Sequence, residues 1–177
     1  MAYSSERILL SSQREGQISR FRAWVLLIVP LAAILFQVYV PLFFQFLGFL
    51  EMPLLVVVYF ALMRRSQIGG LFVGAAVGLA QDSLSKNPLG MFGIVDTMVG
   101  YFAASVGMRL DVDHLFIRLL MAFLFYVFHQ TLYWVLSRAL LSQQMAFEFQ
   151  KTLVLGLLNA VVGATLYRFL DRLRETA

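Results

Sequence analysis

The sequence predicts an all-α membrane protein, a bundle of six transmembrane helices. Of its 177 residues, 60% are apolar and 14% are charged, whereas soluble domains average about 25% charged residues. The apolar residues form long runs separated by short polar loops, and mean hydropathy is +0.79. Because a soluble domain needs more polar side chains to cover its surface, this composition disfavours a soluble enzyme and excludes a disordered chain.

The first two predicted spans lie in one long apolar stretch. A bilayer core about 30 Å thick needs about 20 residues of helix. The run from Ala23 to about Leu50 is longer than that and is interrupted by Pro30 and Pro41. We therefore expect a span to about Val40 and then a kinked or interfacial piece, Pro41–Leu50. The second span, Met52–Met63, is short, so it must tilt little, extend past its flanks or lie within protein instead of lipid.

Four more apolar runs complete a domain that covers residues 23–170. They are about Ile68–Leu84, Leu89–Met108, Leu115–Leu141 and Thr152–Leu170. With six spans, eleven of the 14 Lys and Arg residues fall on one side of the membrane, and the other side holds only Lys86, Arg138 and Lys151. The positive-inside rule then places both tails, residues 1–22 and 171–177, in the cytoplasm.

Small residues follow one face of the third and fourth spans. In the third span, Gly70, Gly74 and Gly78 recur every four residues. In the fourth span, small residues recur at alternating spacings of three and four, from Gly90 to Gly107. Since small residues let helix backbones approach closely in lipid, we expect the two spans to pack as an antiparallel hairpin. The alternative is that such a seam receives the transmembrane helix of a partner.

Asp82 continues the glycine stripe and precedes the turn between the third and fourth spans. A carboxylate at a helix C-terminus opposes the helix dipole. We expect compensation from Lys86, four residues on, or from the amide groups that begin the next helix. A structural role in this hairpin and a partner-binding role are both open.

Two other ionisable residues, Asp96 and His129, lie inside predicted spans. Charged groups at membrane depth are costly, and they indicate function by default. Asp96 flanks the small seam of the fourth span, and His129 lies near the middle of the fifth, among aromatic residues. We interpret them as a polar link between two helices or as separately satisfied groups. The alternative is a proton or ion relay.

Motifs for catalysis are missing from the sequence. It contains no cysteine and two histidines, and it lacks phosphate-loop, zinc-protease and serine-elbow patterns. Asp111 and Asp113 stand together in one loop, where we interpret them as a cap of the fifth span. We therefore predict a protein that is not an enzyme and has no cofactor or metal site. Its basic residues lie between spans, which indicates membrane topology and not nucleic-acid binding.

The third and fourth spans resemble the MreD family of rod shape-determining proteins. The family shows a glycine-rich helix that ends in an Asp, then Pro-Leu-Gly, then a span that reaches Gly-Tyr. Here Gly70–Leu84 ends near Asp82, Pro88–Leu89–Gly90 follows, and the next span reaches Gly100–Tyr101. Length, number of spans and the arginine-rich second loop agree with the family over nearly the whole chain.

The resemblance implies a non-enzymatic protein of the bacterial inner membrane that serves cell-wall elongation and cell shape. Its implied partners are MreC and, beyond it, RodA, a class B penicillin-binding transpeptidase and, indirectly, the filament MreB. The family's bundle is also similar to the substrate-binding subunits of energy-coupling-factor transporters. A solute-binding transporter subunit therefore stays as the alternative function, although likeness of fold does not carry function.

Candidate residues follow from both lines of argument. The candidates for partner binding or for structure are Gly74, Gly78, Asp82, Pro88, Gly90 and Gly100, and the buried polar candidates are Asp96 and His129.

Overall fold

A computed structural model of the chain describes residues 22–85, 88–142 and 146–173. Within these ranges the chain forms six α-helices and one 3₁₀ turn, and no strand. The helices are α1 (Ala23–Phe43), α2 (Met52–Arg64), α3 (Gln67–Leu84), α4 (Met91–Gly107), α5 (Leu115–Leu141) and α6 (Phe149–Asp171), with the 3₁₀ turn at Gln45–Phe49 between α1 and α2. The all-helical class is confirmed, whereas most of the two predicted tails lies outside the described residues.

Helix α2 is the centre of the bundle. All its residues from Pro53 to Met63 are buried, which is what an all-round apolar helix requires. The five other helices pack around it and bury its Val, Leu and aromatic side chains. Of the three arrangements expected for this short segment, the structure therefore has the one in which it lies within protein.

The long first apolar run divides where the sequence predicts, although α1 extends past the predicted end. Pro30 and Pro41 both lie inside α1, which continues to Phe43. The chain then turns through the 3₁₀ segment and Leu50 before α2 begins. Proline removes one backbone hydrogen bond without forcing an immediate stop, so Pro41 weakens the last turn of α1 instead of ending the helix.

Helix α4 begins later than predicted, at Met91 instead of Leu89. Gly90 precedes it with φ of +94°, a left-handed conformation that favours glycine. Conversely, α6 begins at Phe149, three residues before the predicted start at Thr152.

Within the described ranges, four segments are long and apolar enough to cross a membrane. They are Trp24–Phe43, Gln45–Arg64, Leu115–Leu141 and Phe149–Asp171. Helix α4 is apolar but shorter, at 17 residues or about 25 Å. Helix α3 carries four glycines and ends on polar residues, so its mean hydropathy is lower. Length and composition thus support four of the six predicted crossings.

Candidate functional site

Helices α3 and α4 pack backbone against backbone along the glycine stripe. A Cβ atom added at Gly70 would strike the Gly100 carbonyl oxygen, one at Gly74 the Asp96 carbonyl, and one at Gly78 the Phe92 carbonyl. These are main-chain atoms that no change of rotamer can move aside. The predicted antiparallel hairpin is present, and its glycine seam is filled by the protein's own helices.

Asp82 caps the N-terminus of α4 across the hairpin. Its carboxylate accepts hydrogen bonds from the backbone N–H groups of Gly90 at 2.9 Å, Phe92 at 3.2 Å and Gly93 at 3.0 Å. Helix N-termini present free N–H groups and a positive dipole end, so a carboxylate is stabilised there. The amide groups of the next helix are therefore the compensation that Asp82 finds, whereas Lys86 lies outside the described residues.

The six partner-binding candidates divide by exposure. Gly74, Gly78 and Gly100 are buried in the seam, Asp82 is buried beneath the turn, and Gly90 is half-buried at the start of α4. Pro88 is the one exposed member. A partner that contacts this hairpin must therefore contact its turn or its outer face.

Asp96 and His129 meet inside the bundle. The Oδ1 atom of Asp96 lies 3.3 Å from Nε2 of His129, and both side chains are almost completely buried. The ring of Phe92 stacks on the imidazole with centroids 5.8 Å apart and planes at 11°. Sequence reasoning singled out both residues, and the structure joins them as neighbours between α4 and α5.

Glu51, which was not selected from the sequence, belongs to the same region. It precedes α2 as its N-cap residue, at the break after the 3₁₀ turn, close enough to His129 and Asp96 for their charges to act on its carboxyl group. Its signal in the sequence is that it is the only charged residue between Ala23 and Met63. Because the residues next to it in the sequence are aromatic and aliphatic, nothing local indicates which groups its carboxyl would meet.

Amide side chains satisfy the backbone exposed by that break. Asn159 of α6 accepts from the Glu51 N–H at 2.9 Å and donates to the Phe49 carbonyl at 2.9 Å. Gln37 of α1 accepts from the Met52 N–H at 3.3 Å. An unpaired backbone group that packs against an apolar interior is costly, so these contacts stabilise the non-helical connection between α1 and α2.

A second polar cluster joins Tyr59 of α2 to the first turn of α5 and the last residue of α6. Buried Arg118 donates from Nε to the Val112 carbonyl at 2.7 Å and forms ion pairs with Asp113 and Asp171. Asp171 also accepts from the Tyr59 hydroxyl at 2.9 Å. The predicted cap by Asp111 or Asp113 is wrong, because His114 is the N-cap of α5 and no side chain caps it. Asp113 instead forms an ion pair with Arg118 while its own side chain stays exposed.

We expect Arg118→Ala to destabilise the bundle by about 2 kcal/mol, because it strips a buried main-chain carbonyl and two carboxylates of their shared donor. Thermal unfolding of the purified chain in detergent measures this loss. The matched control is Arg109→Ala, which changes an exposed arginine at the same end. Equal melting temperatures for the two variants would contradict a stabilising role for Arg118.

Metal binding has no support in the part of the chain that the structure describes. No group of three or more His, Asp or Glu side chains there is arranged to hold a metal ion.

Comparison with known proteins adds the family. The family model of the rod shape-determining protein MreD matches residues 19–174. The chain belongs to the MreD family. No curated protein and no solved structure matches it. Membership of the MreD family makes the chain a membrane protein that determines cell shape, and it confirms the resemblance found in the third and fourth spans. The match extends over all six helices, so the hairpin and both polar clusters lie within the MreD region.

Proposed function

We propose that this protein is a non-enzymatic scaffold of the cell-wall elongation complex in the bacterial inner membrane, where it binds MreC. The observation that carries the proposal is membership of the MreD family over nearly the whole chain. The described interior agrees with a scaffold, because apolar side chains pack closely around α2. RodA, the penicillin-binding transpeptidase and MreB would then be reached through the same complex.

Six crossings with both termini in the cytoplasm remain our topology. Helices α3 and α4 are joined by a short turn and packed backbone to backbone, so they enter the membrane together or not at all. Because α2 and α5 lie on either side of this hairpin in the chain, two crossings there keep the eleven cations on one face. A label on the C-terminus that reacts from the outer face of intact cells would overturn this topology.

The docking surface proposed for MreC is the outer face of α3 and α4. The glycine seam is already filled, so a transmembrane helix of MreC has to contact the side turned away from it. Large apolar side chains are exposed there, namely Phe72, Leu79, Ile94, Met98 and Phe102. Ala76 and Ala75 on α3 provide small positions between them, which permit close approach of a further helix.

Affinity purification of the tagged chain from its native membrane in mild detergent tests the function. We expect mass spectrometry to identify MreC, with or without RodA and its transpeptidase. Recovery of an ATP-binding-cassette pair instead would overturn the scaffold and establish the transporter alternative. Membrane lipids will copurify in either case and do not discriminate.

Two substitutions of alanine by tryptophan test the docking surface. Ala76 on α3 and Ala32 on α1 are both exposed helical positions. We expect Ala76→Trp to reduce MreC recovery at least tenfold, which corresponds to about 1.4 kcal/mol, and Ala32→Trp to leave it unchanged. Both variants should unfold at the wild-type temperature. Normal recovery of MreC with folded Ala76→Trp would exclude this face.

A further inference from the structure

The two buried aspartates of the α3–α4 hairpin have opposite environments. Asp82 is 1% exposed and accepts three backbone hydrogen bonds. Asp96 is 0% exposed, and neither of its carboxylate oxygens has a hydrogen-bond partner in the described structure. A buried carboxylate without donors is strongly disfavoured unless it is protonated or faces a cation. Three hydrogen bonds therefore account for the buried charge of Asp82, whereas no hydrogen bond accounts for that of Asp96.

His129 is the only cationic group that the structure places beside Asp96. Its Nε2 lies 3.3 Å from Oδ1, while Oδ2 of Asp96 and Nδ1 of His129 are left without partners. Phe92 covers the imidazole and itself stacks on Tyr133, so the pair is screened from lipid and water. In this apolar setting the charges of the two residues depend on each other.

Glu51, half-buried at the start of α2, adds the charge of a second carboxyl group near the imidazole. With both carboxyls ionised, one imidazolium leaves the three groups with a net negative charge, and one more proton removes it. The other titratable groups that face the cluster are Asp82 from α3 and Tyr126 and Tyr133 from α5. The side chains from α1 and α6 in this region are the neutral amides Gln37 and Asn159, which are engaged with the backbone.

We propose that Asp96 and His129 form a proton-binding site inside the bundle, on which the nearby carboxyl group of Glu51 acts through its charge. The site joins α4 to α5, so its proton occupancy sets the charge between these two helices. Its ligand is the proton itself, because no group of three His, Asp or Glu side chains in the described structure is arranged to hold a metal ion. This inference is independent of MreC binding.

Histidine titration by NMR tests the site, because the chain has two histidines, His129 in the core and exposed His114. We would label the full-length protein with isotopic histidine in lipid nanodiscs, and assign the signals with His114→Gln. Removing a neighbouring carboxylate lowers the proton affinity of an imidazole. We expect Asp96→Asn to lower the proton affinity of His129 at least tenfold, and that of His114 not to change.

Three further variants and conditions decide the outcome. Glu51→Gln should shift the His129 titration in the same direction but less, and Asp113→Asn, at an exposed loop carboxylate, should not shift it. If Asp96→Asn does not fold, Glu51→Gln carries the test alone. A His129 titration identical in wild type and in every folded variant overturns the proposal. Displacement of the His129 proton by sodium or potassium at fixed ionic strength would also overturn it, and would indicate a cation site.

Discussion

Gly78→Leu is expected to abolish the folded bundle. A side chain at this position would meet the Phe92 carbonyl and the Gly93 nitrogen, both main-chain atoms of α4. The helices must therefore separate, and the loss should exceed about 3 kcal/mol, the upper range for overpacking. We expect little monodisperse protein in detergent by size-exclusion chromatography, and early unfolding of the fraction that remains.

The matched control for this variant is Ala76→Leu, two residues earlier on the same helix. Ala76 is exposed, so the same leucine side chain points away from the hairpin. We expect wild-type yield and melting temperature. A Gly78→Leu protein as stable as the Ala76→Leu protein would show that the close approach of α3 and α4 is not required for folding.

Asp82→Ala is expected to cost about 3 kcal/mol. The substitution removes a charged acceptor of three hydrogen bonds and leaves the buried N–H groups of Phe92 and Gly93 without a partner. It also removes a negative charge from the N-terminus of α4. Thermal unfolding of the purified variant measures the cost, and hydrogen exchange should show increased opening at the first turn of α4.

Asp82→Asn separates the charge from the shape at the same position. One amide oxygen can still accept, whereas the NH₂ group faces backbone donors, so we expect a loss of intermediate size. The control is Glu148→Ala, at an exposed carboxylate outside the hairpin whose ion pair with Lys151 is exposed as well. If Asp82→Asn matches wild type in stability and in MreC recovery, neither the structural nor the partner-binding role of Asp82 stands.

Both predictions concern one element, the α3–α4 hairpin, and they give its sequence a physical meaning. The glycines allow the backbones of α3 and α4 to touch, and Asp82 accepts hydrogen bonds from the N-terminus of α4. This hairpin supplies the most specific part of the MreD resemblance. We interpret it as a rigid platform on which Phe72, Leu79 and Ile94 are presented to lipid or to a partner helix.

Much of the architecture could be predicted because it depends on local composition and period. Apolar length predicted the helices, and the four-residue spacing of Gly70, Gly74 and Gly78 predicted the face along which α3 contacts its neighbour. The amide cap on Asp82 was also predictable, because a short turn brings the next N-terminus within reach. In each case the interacting residues are close in the chain, so few arrangements satisfy them.

Only the tertiary structure decided which distant groups meet. Asp96 meets His129, and Arg118 meets Asp171, across separations that no local period encodes. The same holds for the central position of α2, since an apolar helix of this length is equally compatible with lipid and with protein around it. The sequence by itself determined an all-helical membrane protein and its family. The partners of its buried charges were decided by the packing of six helices, because such contacts depend on how the helices are arranged in space and not on the residues next to them in the chain.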